Sequence, residues 1–204
     1  MNILFATRNA GKFAEFAAFL KACPFELRSL RDYPDFPLCE EDGASYEENA
    51  EKKALLYSRL TGDLVIGEDS GLEVKALNGF PGVRSARMGG GALTDTEKNA
   101  RILEKLEGLP AEKRTAAFVA VVAAARRGMI LFRVRGECSG VIAPEPRGRD
   151  GFGYDPIFYL PARKKTFAEL SIDEKLQCSH RGDALRKLQR ELTALALDKN
   201  PLAG

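Results

Sequence analysis

The sequence is poor in the residues that announce the commonest specialised sites. It has no tryptophan, one histidine (His180) and four cysteines, Cys23, Cys39, Cys138 and Cys178, with no Cys-x-x-Cys pair among them. That spacing suggests neither a zinc site nor a disulfide framework, and the thiols read as buried or idle. No sign of charge dominates, since 31 basic residues stand against 29 acidic ones. A nonspecific nucleic-acid binder needs a basic excess on one face, so that class is set aside. The most apolar stretch, Ala116 to Ala125, is well short of the roughly 20 residues of a membrane helix, and no membrane span is expected. The N-terminus enters Ile3, Leu4 and Phe5 without a basic flank or a small-residue cleavage site, which predicts a cytoplasmic protein. Repeats, low-complexity tracts and linkers are absent too, so residues 1–204 are read as one folding unit.

What is present is the alternation of an α/β protein. Asn2 to Ala6 is a short apolar run, followed by the polar turn Thr7 to Lys12 and by Phe13, Phe16, Ala17 and Leu20 at helical spacing, with Pro24 closing that helix. Phe25 to Leu30 reads as a second strand, and a proline-punctuated loop then leads to Glu40, Glu41, Asp42 and Gly43. Ser45 and Glu48 predict a capping box ahead of a helix with Tyr46, Ala50, Ala54 and Tyr57 buried and Asn49 and Lys53 one turn apart on an adjoining face. Leu64 to Gly67 reads as a strand ending in a turn, Glu68-Asp69-Ser70-Gly71, with Leu72 and Val74 resuming beyond it. Thr94 and Glu97 cap a helix expected to bury Ala100, Leu103 and Leu106. Thr115 to Ala125 is ambiguous by period, but its valines favour a buried strand; Leu131 to Val134 pairs antiparallel with it, and Gly136 to Ile142 continues or follows. Ser171 to Glu174 starts a short helix, and Leu185, Leu188, Leu192 and Leu195 mark the seam of the last one. The expected architecture is an elongated, mixed, twisted sheet flanked by helices.

Four polar clusters fall where strands end or helices begin, the places where α/β proteins hold ligands. Thr7 to Lys12 offers free backbone N–H groups, the Thr7 hydroxyl, Asn9 and Lys12 to an anion, although it lacks the spacing of a P-loop. Glu40 and Glu41, and Glu68 and Asp69, bring carboxylates from separate segments. Such oxygen donors suit Mg²⁺, which keeps waters for substrate phosphates to displace, and one of them is also a candidate general base. Arg147 to Pro156 contains glycines around Phe152 and Tyr154, which would let the backbone approach a flat ligand while a ring stacks on it. His180 and Arg181, at the start of the final helix, offer donors to carbonyl oxygens on a purine edge. Each cluster also has a plain reading, as a solvated turn or a helix cap.

Taken together, Ala6 to Lys12, Glu47 to Ala50, Glu68 to Leu72, Pro81 to Arg87, Gly151 to Pro156 and Ser179 to Gly182 resemble the inosine triphosphate pyrophosphatases, the non-canonical purine nucleoside-triphosphate pyrophosphatases, over nearly the whole chain. The resemblance implies hydrolysis of ITP, dITP and XTP between the α and β phosphates, in a cleft between two α/β lobes of a homodimer. It implies that Thr7, Arg8, Asn9, Ala10, Gly11 and Lys12 cradle phosphates, and that Glu40 or Glu41, with Asp69 and Glu68 as the further candidate, hold Mg²⁺. Asp69 would also accept the proton. Lys53, Ser70 and Lys175 would contact the polyphosphate or position it, and Phe152, Gly153, Tyr154, Asp155, His180 and Arg181 would enclose and read the base. Arg8 stands where many members carry glycine. Rival readings are a related pyrophosphatase that prefers pyrimidine nucleotides and a nucleotide sensor without catalysis.

Overall fold

In the computed structural model, which describes residues 2–21, 23 and 25–197, the strands are β1 (Asn2–Phe5), β2 (Glu26–Ser29), β3 (Leu64–Val74), β4 (Thr115–Arg126), β5 (Met129–Ile142), β6 (Phe158–Leu160) and β7 (Lys165–Thr166). They form one mixed sheet in the order β2-β1-β3-β4-β5-β6-β7. β1 runs parallel to β2 and β3, and the remaining pairs are antiparallel. The helices are α1 (Ala10–Leu20), α2 (Tyr46–Thr61), α3 (Asp95–Lys105), α4 (Ile172–Cys178) and α5 (His180–Leu197).

The Ala- and Val-rich run of β4 is apolar on consecutive residues because both of its faces are covered. On one face Ile3, Phe5, Ile66 and Val122 pack with Phe16 of α1 and with Leu185, Leu188 and Leu192 of α5. On the other, Ala50 and Ala54 of α2 lie against Val119, Val121 and Ala123. The far ends of β3 to β5 enter a separate core, where Leu72, Phe118 and Ile142 meet Ile102 of α3 together with Phe158 and Phe167. The long central strands therefore carry two lobes, and the cleft between them opens at the midpoint of β3.

Several expectations are corrected. Glu68-Asp69-Ser70-Gly71 is not a turn: β3 runs unbroken through it, each residue paired with β4 from Val122 to Val119. Turn-forming composition is overridden there because the charged side chains find buried partners. α3 presents Lys98, Asn99, Ile102 and Leu106 inward, and Ala100 is exposed. Of the expected stripe Leu106 is buried and Leu103 half-buried against the same core, but Ala100 is not, and the apolar count overlooked Lys98 and Asn99 because they are polar. At Ser45 the hydroxyl accepts from the Glu48 N–H, but the Glu48 carboxylate takes the Ala44 N–H one residue upstream, so the box is incomplete. The boxes at Thr94 and Ser171 are complete. Leu131 to Val134 and Gly136 to Ile142 belong to the single strand β5. Pro24 lies outside the described residues.

Candidate active site

The site is assembled from the middle of β3 outward. Successive side chains of a strand point to opposite faces, so Glu68 and Ser70 share one side and Asp69 the other. Asp69 faces α2, where residues one helical turn apart reach it together. Asn49 donates to Asp69 Oδ2 at 2.9 Å, and Lys53 Nζ lies 3.9 Å from Oδ1. The same ammonium sits 3.2 Å from Glu41, whose other oxygen accepts from Arg87 at 2.6 Å. Lys53 thus draws the 40–44 loop and β3 together, bringing the carboxylates of Glu41 and Asp69 to one cation. Glu40 is exposed. Burial raises Asp69 above the ordinary aspartate value, against the opposing charges of Lys53 and Lys12 and the Asn49 hydrogen bond. In Glu41 burial pushes upward too, but Lys53 and Lys12 prevail and the net shift is downward.

Glu68 faces the opposite way, into a buried ionic network. Lys12 lies 2.6 Å from its Oε2, and Arg181 donates to its Oε1 at 3.0 and 3.2 Å. Arg181 also reaches Ser70 Oγ at 3.1 Å and Glu15 at 2.5 Å. Lys175 bridges Glu15, at 2.6 Å, and Asp155, at 2.5 Å. Unpaired charges cannot persist in such a place, and their alternation is what makes the burial tolerable. Burial would raise Glu68 and Glu15, but Lys12 and Arg181 for the first, and Arg181 and Lys175 for the second, hold both below the usual range. For Asp155 burial prevails over Lys175 and the shift is upward.

The pocket between the lobes is lined by Asn9, Lys12, Ser70, Ser85, Phe118, Phe152, Tyr154, His180 and Arg181, among others. Asn9 caps α1 by accepting from the Lys12 N–H at 2.9 Å, which leaves the N–H groups of Ala10 and Gly11 as those a helix start does not pair internally. Thr7 Oγ1 is engaged by the Asn9 N–H. Arg8 turns away from the pocket to donate to the Phe36 carbonyl, which ties the cradle to the loop leading to Glu41. The Phe152 ring lies against Gly11, where an added Cβ would come within 2.3 Å of it, and Lys175 and Arg181 lie 4.9 and 5.5 Å from its centre.

His180 stacks on Phe118 with ring centres 4.6 Å apart. Both its ring nitrogens are buried without a partner among the described residues. Burial, reinforced by the charges of Arg181 and Lys175, holds its pKa well below the ordinary value, so the imidazole is neutral.

Sequence reasoning had brought Asn49 and Lys53 onto one helix face and placed His180 and Arg181 at the head of a helix. It missed Glu15, Ser85, Arg87, Asp95, Lys98, Asn99 and Phe118. For Glu15 the only signal was a carboxylate on the apolar face of α1, between Phe13 and Phe16. Among the described residues no cluster of three or more His, Cys, Asp or Glu side chains forms a ready-made metal cage. Glu41 and Asp69 remain compatible with Mg²⁺, which commonly takes one or two carboxylates and completes its shell with water and phosphate.

Fold and cleft define a class: a two-lobed α/β protein whose cleft sets lysines opposite buried carboxylates and ends in an aromatic-walled pocket. The Ham1 family matches residues 3–191. The chain is 47% identical to a dITP/XTP pyrophosphatase of Desulforamulus reducens, over 96% of its own length and 97% of that relative. It is 48% identical to one of Geobacter sulfurreducens, over 93% and 96%. A HAM1 protein from Coxiella burnetii superposes with a TM-score of 0.83 at 38% identity, covering 95% of this chain and 99% of that one. The chain belongs to the Ham1 family.

Proposed function

We propose that this chain hydrolyses non-canonical purine nucleoside triphosphates, ITP, dITP and XTP, to the monophosphate and pyrophosphate. The observation that carries the reading is the shared cleft: Lys53 joins the carboxylates of Glu41 and Asp69, Lys12 pairs with the adjacent Glu68, and the unpartnered imidazole of His180 lines the same pocket as Lys12.

Lys12 and Lys53 offset charge on the triphosphate and on the departing pyrophosphate, and the α1 start contributes its unpaired N–H groups, while Lys175, held between Glu15 and Asp155, supports the Phe152 ring. Asp69, with its proton affinity raised by burial, takes the proton from the attacking water. When bound, Mg²⁺ would be held by Glu41 and Asp69 and would supply further neutralisation of the leaving group. Glu68 is committed to Lys12 and Arg181, so its part is to set the cations in place.

At the base end, four of the five N–H donors of Arg181 are engaged by Glu15, Glu68 and Ser70. His180 is the group with spare capacity: a neutral imidazole offers one donor and one acceptor. A donor aimed at position 6 of the purine matches the carbonyl of hypoxanthine or xanthine and meets the amino group of adenine donor to donor. Leaving buried polar groups mispaired is costly, and that cost is the source of discrimination. Phe152 supplies the stacking face. The family resemblance further supports a homodimer in the cytoplasm, which sedimentation and cell fractionation would check.

The test is pyrophosphate release across ITP, dITP, XTP, ATP, GTP, TTP and UTP, with Mg²⁺ and with EDTA. Turnover of dITP and XTP above the others, lost in EDTA, is expected. Faster cleavage of TTP or UTP would assign the pocket to pyrimidines, and tight binding without pyrophosphate release would make the chain a sensor.

A further inference from the structure

The Phe152–Tyr154 loop turns through Gly153, whose φ of +64° is in the left-handed region. A turn of this kind, rich in glycine and half-exposed, holds a ring in place only if its backbone is held from outside. Here both polar groups of the Gly153 residue are taken by one helix. Asp95 Oδ2 accepts the Gly153 N–H at 2.7 Å, and Asn99 Nδ2 donates to the Gly153 carbonyl at 3.0 Å. These α3 side chains, one turn apart, grip the loop between Phe152 and Tyr154.

The same helix reaches the opposite wall. Lys98 Nζ donates to the Ala86 carbonyl at 3.0 Å and lies 3.5 Å from Asp95 Oδ1. Tyr154 closes the circuit by donating to the Ser85 carbonyl at 2.9 Å. Fold stability does not account for Asn99. Its Oδ1 is buried with no hydrogen-bond partner among the described residues, an arrangement that costs stability relative to an apolar side chain of the same shape. What that residue contributes is the position of the Gly153 carbonyl.

We infer that Asp95 and Asn99 are positioning residues for purine recognition: α3 clamps Gly153 and so fixes the distance of the Phe152 ring from the opposite wall at Ser85 and Ala86, setting the width of the base pocket. The inference rests on the functional reading above. Neither residue reaches Asp69, Lys53 or Lys12, so loss of the clamp acts on the base and leaves the polyphosphate end unchanged. A looser pocket weakens binding that is uniform between ground and transition states, which moves KM and spares kcat.

The experiment compares Asp95→Ala, Asn99→Ala and the conservative Asp95→Asn for dITP kinetics, for competitive inhibition by inorganic tripolyphosphate, and for thermal melting. The alanine variants are expected to raise KM for dITP roughly tenfold, with kcat within about threefold and tripolyphosphate inhibition unmoved, the loss of one hydrogen bond being of that order. Asp95→Asn, which keeps an oxygen for the Gly153 N–H, recovers most of the loss. Asp95 is solvent-exposed, so its variants keep the test open even where Asn99→Ala fails to fold. Unchanged KM, or equal weakening of dITP and tripolyphosphate, overturns the clamp. Failure of the unaltered chain to cleave dITP overturns the functional reading and the clamp with it, and is told apart by needing no variant.

Discussion

Asp69 and Glu68 are neighbours in sequence and opposites in role, because strand geometry sends them to different faces. Asp69 has no close cation, with Lys53 at 3.9 Å and Lys12 acting at longer range, and accepts from the Asn49 amide and the Ser70 N–H, whereas Glu68 is enclosed by a lysine and an arginine. The first is thus left with a raised proton affinity and the second with a lowered one. Asp69→Asn keeps the shape and an oxygen for Asn49 while removing the base. We expect kcat for dITP to fall by about 10²–10⁴-fold, with the melting temperature little changed; pyrophosphate release near the unaltered rate would remove Asp69 from the mechanism. Glu15 works through the network. Glu15→Gln leaves Lys175 and Arg181 buried with one carboxylate fewer between them, at a cost of about 3–5 kcal/mol. Urea denaturation checks this, and a loss of under about 1 kcal/mol would mean that Glu68 and Asp155 suffice. Glu15 was illegible in sequence because a carboxylate on a helix is ordinarily solvated, and only the distant arrival of Lys175 and Arg181 makes burial possible.

Elements position these residues by approaching closely. Where β3 passes α2, Gly67 has no Cβ, and adding one would bring it within 2.1 Å of the Ala50 carbonyl and 2.7 Å of the Ala54 nitrogen. Backbone atoms of a helix cannot yield singly, so Gly67→Ala forces α2 away from the sheet. Overpacking of this kind costs about 1–3 kcal/mol. Because Lys53 and Asn49 ride on α2, kcat for dITP is expected to fall as well, although Gly67 touches no substrate group. Melting and kinetics on one preparation separate the effects: lost stability with full activity would show that α2 adjusts without moving Lys53. The spacing of Tyr46, Ala50, Ala54 and Tyr57 was enough to find α2 and the face it buries. β3 was partly misread, since Glu-Asp-Ser-Gly has the composition of a turn, and nothing local reveals that Lys12, Arg181, Asn49 and Lys53 wait across the cleft. The polar half of the inward side of α3 was missed for a related reason: Lys98 and Asn99 are buried by the carbonyls they serve, and an apolar count cannot see them.

For the molecule as a whole, the two cores meet at His180. It heads α5, whose leucines build one lobe, and its ring rests on Phe118, which belongs to the core of the other. The mixed order of the sheet was legible from the alternation of helical and strand periods, but this contact was not, because stacking between lobes leaves no period. It carries a pH dependence with a definite sign. Burial, then repulsion from Arg181 and Lys175, holds the folded-state pKa of His180 well below the ordinary value, with Glu68 only partly opposing them. An unfolded chain takes up a proton near about pH 6.5 and the folded chain does not. Stability is therefore fully present above that pH and declines as pH falls from it toward the folded-state pKa, by at most about 1.4 kcal/mol per pH unit. His180→Gln removes the titration and leaves the carboxylates common to both proteins, so their contributions cancel in the comparison. Between pH 7.5 and 5.5, a range chosen to bracket the histidine value of about 6.5, the melting temperature of the unaltered chain should fall more steeply than that of His180→Gln. Parallel profiles would mean that the imidazole protonates in the folded protein, and a charged ring would present two donors to the base in place of one donor and one acceptor.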